Sequence, residues 1–234
     1  MLNLLFIQGA QGAIETSGIA TKATRAAVEL NFFDLALKGG WIMIPIILLG
    51  FVAVYIFGER YYTIRKASKI DHHFMDQIKS LIHKGNVDDA MMLCRSNDAP
   101  VARMIEKGIS RIGRPLNDVN TAIENVGNLE ISKLEKGFPA LASVSGGAPM
   151  LGFLGTVIGM VQAFYNMSTA GSNVDVTILS GGIYLAMVTT VAGLIVGITA
   201  YFAYNILVAK VESVVFQMEA TTSEFMDLLH EPAK

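Results

Sequence analysis

In this sequence the residues whose types and spacing could do chemistry are hydroxyls set among glycines, inside stretches that carry no charge. Thr156 follows Gly152 and Gly155 and precedes Gly159, and Thr190 precedes Gly193 and Gly197. Gly155 with Gly159, and Gly193 with Gly197, each make a G-x-x-x-G spacing. Lipid gives helices no hydrophobic reason to associate. Small residues that let backbones approach, and hydroxyls that bond across the contact, take over that role. Gly152, Gly155, Gly159, Gly193 and Gly197 therefore read as helix-packing positions. The two threonines have two readings. Each hydroxyl bonds the carbonyl one turn back in its own helix, or the pair lines a polar path within an oligomer, at comparable depth on helices of opposite direction.

What is missing constrains the chemistry further. No Lys, Arg, Asp, Glu or His occurs from Phe138 to Val174 or from Val176 to Ala209. Membrane proton relays ordinarily use Asp, Glu or His. If this chain helps to move protons, the titrating carboxylate must come from another chain. His72, His73, His83 and His230 lie outside the charge-free stretches, and no Cys or carboxylate spacing beside them matches a metal site. No H-E-x-x-H, G-x-S-x-G or P-loop pattern is present. The expectation is a non-enzymatic protein with no metal and no cofactor. Cys94, the only cysteine, excludes an intrachain disulfide. A net charge of -2 gives no footing for nucleic acid.

These residues must be positioned by membrane helices. Of the 234 residues 52% are hydrophobic and only 16% charged, and the charges are clustered. A third charge-free stretch, Gly39 to Gly58, joins the two above. A spanning helix needs about 20 apolar residues at 1.5 Å each to cross a core of roughly 30 Å, and all three stretches suffice. The predicted class is an all-α integral membrane protein with three transmembrane helices, whose long second and third helices extend into the cytoplasm. Residues 1–38 hold an amphipathic helix, Ile14 to Leu37, suited to the membrane interface. Residues 39–58 form the first span and 59–137 a polar helical insert. Residues 138–165 form the second span, 166–177 a short loop with Asp175, 178–209 the third span and 210–234 a C-terminal helix. Apolar stripes in the insert include Phe74, Ile78, Leu81 and Ile82; Met104, Ile105, Ile109 and Ile112; and Val119, Ile123, Val126, Leu129 and Leu134. Arg60, Arg65, Lys66, Lys133, Lys136 and Lys210 flank the spans on one side. The positive-inside rule then places the insert and the C-terminus in the cytoplasm and the N-terminus in the periplasm.

The run Ala148-Pro149-Met150-Leu151-Gly152-Phe153-Leu154-Gly155-Thr156-Val157-Ile158-Gly159-Met160, followed by Phe164, resembles the ExbB/TolQ/MotA proton-channel family. The stretch from Gly182 through Thr190 to Gly193, then Tyr204-Asn205, is similar to the matching family helix. The resemblance implies a homo-pentamer in the bacterial inner membrane, with the second and third spans around a central pore. Two ExbD-like single-span subunits would sit in that pore, each bringing the membrane aspartate. A TonB-like protein would carry the work to outer-membrane uptake. By motif position Thr156 and Thr190 match the family's pore threonines. Leu185 stands where ExbB and TolQ members often carry a glutamate. A TolQ-like envelope subunit, a gliding motor subunit and a non-conducting membrane scaffold are the competing readings.

Overall fold

Seven helices account for almost all of the residues that the computed structural model describes, namely 40–68, 73–169 and 176–230. The expected interfacial helix Ile14 to Leu37, His72 and the loop residue Asp175 lie outside the described residues. The helices are α1 (Met43–Ala67), α2 (Phe74–His83), α3 (Val87–Arg95), α4 (Pro100–Ile109), α5 (Leu116–Leu134), α6 (Phe138–Thr169) and α7 (Val176–His230). There is no strand among the described residues, so the chain is all-α. Three helical stretches are long and apolar enough to cross a membrane: α1, the α5–α6 run Leu116–Thr169, and Leu179–His230 within α7.

Local chemistry sets several boundaries. α4 begins where Ala99 is held extended (φ −69°, ψ 145°) ahead of Pro100 in the first turn. A proline there loses no helical hydrogen bond, and it disfavours helix in the residue before it. Only Glu135, Lys136 and Gly137 separate α5 from α6. Gly137 adopts φ 92°, which a side chain would resist, and that lets the chain turn into α6 at once. Phe138 and Leu141 donate to the Glu135 and Gly137 carbonyls, so backbone bonding carries through the junction.

α7 is the spine. Its 55 residues make a helix of about 80 Å at 1.5 Å per residue, far more than a membrane core of roughly 30 Å. One part packs on α6 and α1, and the remainder on α4, α5 and α2. Phe225 on α7 is fully buried with Ile105, Ile109 and Ile123 in one apolar core. Burying such a ring contributes about 1.5–3 kcal/mol. Gly108 makes room for it, because an added Cβ would lie 2.6 Å from Phe225 Cε1.

The helical stripes differ from expectation at two positions. Ile112 lies past the end of α4 and is exposed, and Leu129 is 59% exposed. The buried face of α5 is instead Val119, Ile123, Gly127, Glu130 and Leu134. Leu129 sits about 100° round the helix from Glu130 and so turns outward. α6 also runs through Asn166 to Thr169, where a loop was expected. Ser168 and Thr169 both donate to the Tyr165 carbonyl, so the polar end of α6 stays helical.

Candidate functional site

The seam between α6 and α7 is built from small residues. Ala148, Gly152, Gly155, Gly159 and Ala163 form its buried face on α6. Gly182, Ala186, Thr189, Gly193 and Gly197 oppose them on α7. Contacts ascend one helix as they descend the other, so the two run antiparallel. An added Cβ on Gly193 would lie 2.5 Å from the Ala148 carbonyl oxygen and 3.0 Å from Gly152 Cα. One on Gly152 would lie 2.9 Å from the Thr189 carbonyl oxygen, and one on Gly159 3.0 Å from that of Gly182. Gly155 faces the Thr189 side chain, with its Cβ position 2.6 Å from Thr189 Cβ. Gly197 lies over the Pro149 ring. The approaches at Gly152, Gly159 and Gly193 are to backbone, which is what glycine permits and any other residue obstructs.

Pro149, inside α6, has no N–H to give the Ser145 carbonyl. That carbonyl faces Gly197, whose Cβ position is 3.0 Å away. The weakened turn of α6 is thus covered by the α7 backbone.

The Gly152 carbonyl is the polar centre of the seam. Thr189 Oγ1 donates to the Ala186 carbonyl at 2.9 Å and approaches Gly152 O at 3.4 Å. Thr190 Oγ1 lies 3.3 Å from both Ala186 O and Gly152 O. In the regular ladder of α6 the same Gly152 oxygen accepts from the Thr156 N–H. Thr156 Oγ1 donates to Phe153 O within its own helix at 2.6 Å. The Thr190 hydroxyl therefore approaches a carbonyl already used by the Thr156 backbone, while the Thr156 hydroxyl stays bonded within its own helix. Each threonine also follows a seam residue, Gly155 or Thr189, by one position, about 100° of rotation. On antiparallel helices equal rotations turn to the same side, so both stand half-buried on one flank of the seam.

Four other polar side chains in these spans are satisfied locally. Ser143, Ser145, Thr199 and Asn205 each donate to a carbonyl three or four residues back. Only Thr189 and Thr190, among the hydroxyl bonds described, reach across to the other helix. Thr189 is the residue that sequence reasoning did not single out. Its signal was available, because Ala186, Thr189, Gly193, Gly197 and Ala200 recur at three- and four-residue spacing. Leu185 lies off this seam and half-buried, its side chain toward Gly40 at the start of α1.

A second polar feature lies in the insert. Glu130 on α5 is buried, with its oxygens 2.7 Å from Arg103 Nη1 and 2.7 Å from Lys133 Nζ. Arg103 also approaches Asp98 at 3.9 Å, and Asp98 pairs with Lys66 at the end of α1. Arg60 of α1 donates to the Lys133 carbonyl. An ionic chain thus ties the insert to the end of the first span. A cleft of about 720 Å³ opens beside it between the α5–α6 junction and α7, with Glu135, Glu212 and Glu219 on its wall. Cys94, on the buried face of α3, has its thiol pushed up to about 12 by desolvation, followed by the charge of Glu106. A thiol so placed stays protonated and inert.

A three-span, all-helical membrane protein with a glycine-packed antiparallel pair and hydroxyls at its polar centre is the class that this fold and site define. Residues 96–220, a little over half of the chain, match the MotA/TolQ/ExbB proton channel family. The chain belongs to that family. It is similar to a biopolymer transport protein ExbB homolog of Methanothermobacter thermautotrophicus, 28% identical over 81% of this chain and 69% of that protein. It is equally similar, at 28%, to the Tol-Pal system protein TolQ of Haemophilus influenzae, over 88% of this chain and 96% of the relative. The ExbB protein of Neisseria gonorrhoeae is 31% identical over 52% of this chain and 61% of its own length.

Proposed function

We propose that this chain is the pore-forming subunit of a proton-driven motor of the ExbB–ExbD type. It sits in the bacterial inner membrane and couples the proton motive force to TonB-dependent outer-membrane transport. The observation that carries the reading is that Thr156 and Thr190 stand half-buried on one flank of the seam, on helices that hold no Lys, Arg, Asp, Glu or His between Phe138 and Val174 or between Val176 and Ala209. Such a flank can order water and accept hydrogen bonds, but it cannot take up a proton and hold it. The titrating group therefore belongs to a partner, a single-span subunit with an aspartate at the depth of Gly152. Five copies of this chain surround two such partners, with the threonine flanks turned toward the partner's helix. With Leu185 in α7, the charge-free stretch from Val176 to Ala209 holds no carboxylate of its own, so coupling rests wholly on the partner's. The insert and the C-terminal half of α7 stand in the cytoplasm, where Glu135, Glu212 and Glu219 line the cleft beside the α5–α6 junction.

A TolQ-like role in envelope integrity is the second reading. The observation favouring it is the relative from Haemophilus influenzae, which is covered over 96% of its length.

Replacing Thr156 or Thr190 by valine tests the reading. Valine keeps the shape and removes the hydroxyl. The expected result is loss of energised uptake with oligomers of normal size. Full uptake in both variants would remove these threonines from the proton path. A loss of detergent resistance with normal uptake would point to the envelope role.

A further inference from the structure

A groove of about 760 Å³ runs along the outer side of the α1–α7 pair, away from the seam. Its walls include Phe51, Val54 and Phe57 from α1 and Ile198, Phe202 and Ile206 from α7. Its one polar side chain, Thr199, donates to Ile195 O at 2.7 Å and offers nothing outward. α1 and α7 run parallel here, since Gly50 lies against Val196 and Tyr61 against Lys210. The groove extends from Ile47 to Phe57 on α1 and from Ile195 to Ile206 on α7. At 1.5 Å per residue that is about 15 Å, half of a hydrocarbon core of roughly 30 Å. A helix from another chain would need the whole thickness. A single acyl chain needs one leaflet.

The two ends of the groove differ. One turn past Phe57 and Ile206 stand Tyr61 and Lys210, with the ammonium 4.9 Å above the ring. One further turn along α1 is Arg65, exposed. Among the described residues neither Lys210 nor Arg65 has a carboxylate partner, whereas nearby Arg60 is held by Glu59 and the Lys133 carbonyl. An apolar channel one leaflet deep that opens onto two unpaired cations matches an anionic phospholipid. Basic pockets between membrane helices bind such headgroups.

We propose that this groove is a binding site for an anionic phospholipid of the leaflet facing the α2–α5 insert. One acyl chain lies between α1 and α7, and the phosphate is held by Lys210 and Arg65. Tyr61 keeps the Lys210 ammonium at the mouth of the groove.

Native mass spectrometry of the full purified chain, titrated with phosphatidylglycerol or with phosphatidylcholine of the same acyl chains, tests the site. The wild type should bind phosphatidylglycerol more tightly. Lys210→Ala should weaken that binding about fivefold, and Lys210→Ala with Arg65→Ala about twenty-five-fold, with phosphatidylcholine unchanged. Val54→Trp, which fills the groove, should reduce retention of both lipids. Equal binding of the two lipids by the wild type, or an unchanged phosphatidylglycerol affinity after both charges are removed, would overturn the proposal. So would efficient disulfide cross-linking of two copies through Val54→Cys in the native membrane, which would give the groove to a second copy of the chain.

Discussion

Gly193→Ala is the most informative single perturbation of the seam, because the added methyl meets backbone and not a movable side chain. Its position is 2.5 Å from the Ala148 carbonyl oxygen, against the 3.4 Å at which ordinary contact begins. The helices must therefore part by about 0.9 Å at this level. A gap of about 0.5–1 Å forfeits a quarter to a half of a van der Waals well, and every seam contact nearby would lose on that scale. Overpacking of this kind costs about 1–3 kcal/mol. Alanine also recovers about 1 kcal/mol of helix propensity. The control removes that second effect. Gly146 lies in α6, the other helix of the pair, and an added Cβ there has nothing within 4 Å. Gly146→Ala gains the propensity without the clash. Gly193→Ala should therefore be less stable than Gly146→Ala by about 1–3 kcal/mol, a difference of about 2–12 °C in Tm for a chain of this size. Thermal unfolding of both variants in the same detergent, followed by circular dichroism, reads it. Equal midpoints would refute the backbone-to-backbone contact.

Other perturbations separate the polar features. Thr189→Val keeps the packing against Gly155 and loses a hydroxyl bonded mainly within its own helix, so unfolding in detergent should shift by no more than about 1 kcal/mol. A larger loss would mean that the contact with Gly152 O is the stronger one. Glu130→Ala should destabilise the insert by about 1–3 kcal/mol, read as a lowered urea midpoint, because it removes charge-assisted bonds to Arg103 and Lys133. The loss stays below that of a fully buried pair, since both cations can turn to water. An unchanged midpoint would show that the chain does not use this ion cluster for stability. Cys94 should resist iodoacetamide at pH 8 in the folded chain and react once denaturant is added; fast labelling without denaturant would contradict its burial. Its thiol holds the proton to about 12 when folded, against 9.0 ordinarily. The stability tied to it is present below pH 9 and is lost as the pH climbs toward 12.

The spans were legible in the sequence because charge is so costly in lipid that its absence alone outlines them. The helical insert was legible through its apolar stripes, but only where burial followed hydrophobicity. Leu129 and Ile112 were read as core and lie exposed, while Glu130 and Gly127 occupy the buried face of α5. A carboxylate in an apolar stripe looks like an interruption until its partners are known, and Arg103 lies 27 positions away. Thr156 and Thr190 could be singled out from their glycine surroundings. That the Thr190 hydroxyl reaches the Gly152 carbonyl depends on the antiparallel register of α6 and α7, which side-chain spacing does not specify. Thr189 was overlooked beside Thr190 although it alone of the two lies on the seam stripe. The end of α6 was placed too early, because Ser168 and Thr169 look like loop residues yet bond back into the helix.

The central claim is that this chain supplies a hydroxyl-lined, acid-free flank and borrows its titrating carboxylate. The most direct measurement is native mass spectrometry of the tagged chain, extracted gently from its own membrane, with every co-purifying polypeptide sequenced. Five copies together with two single-span subunits, each carrying an aspartate within its span, is the predicted result. A stable complex with no acidic-span subunit would leave the proton path without a titrating group and would contradict the account.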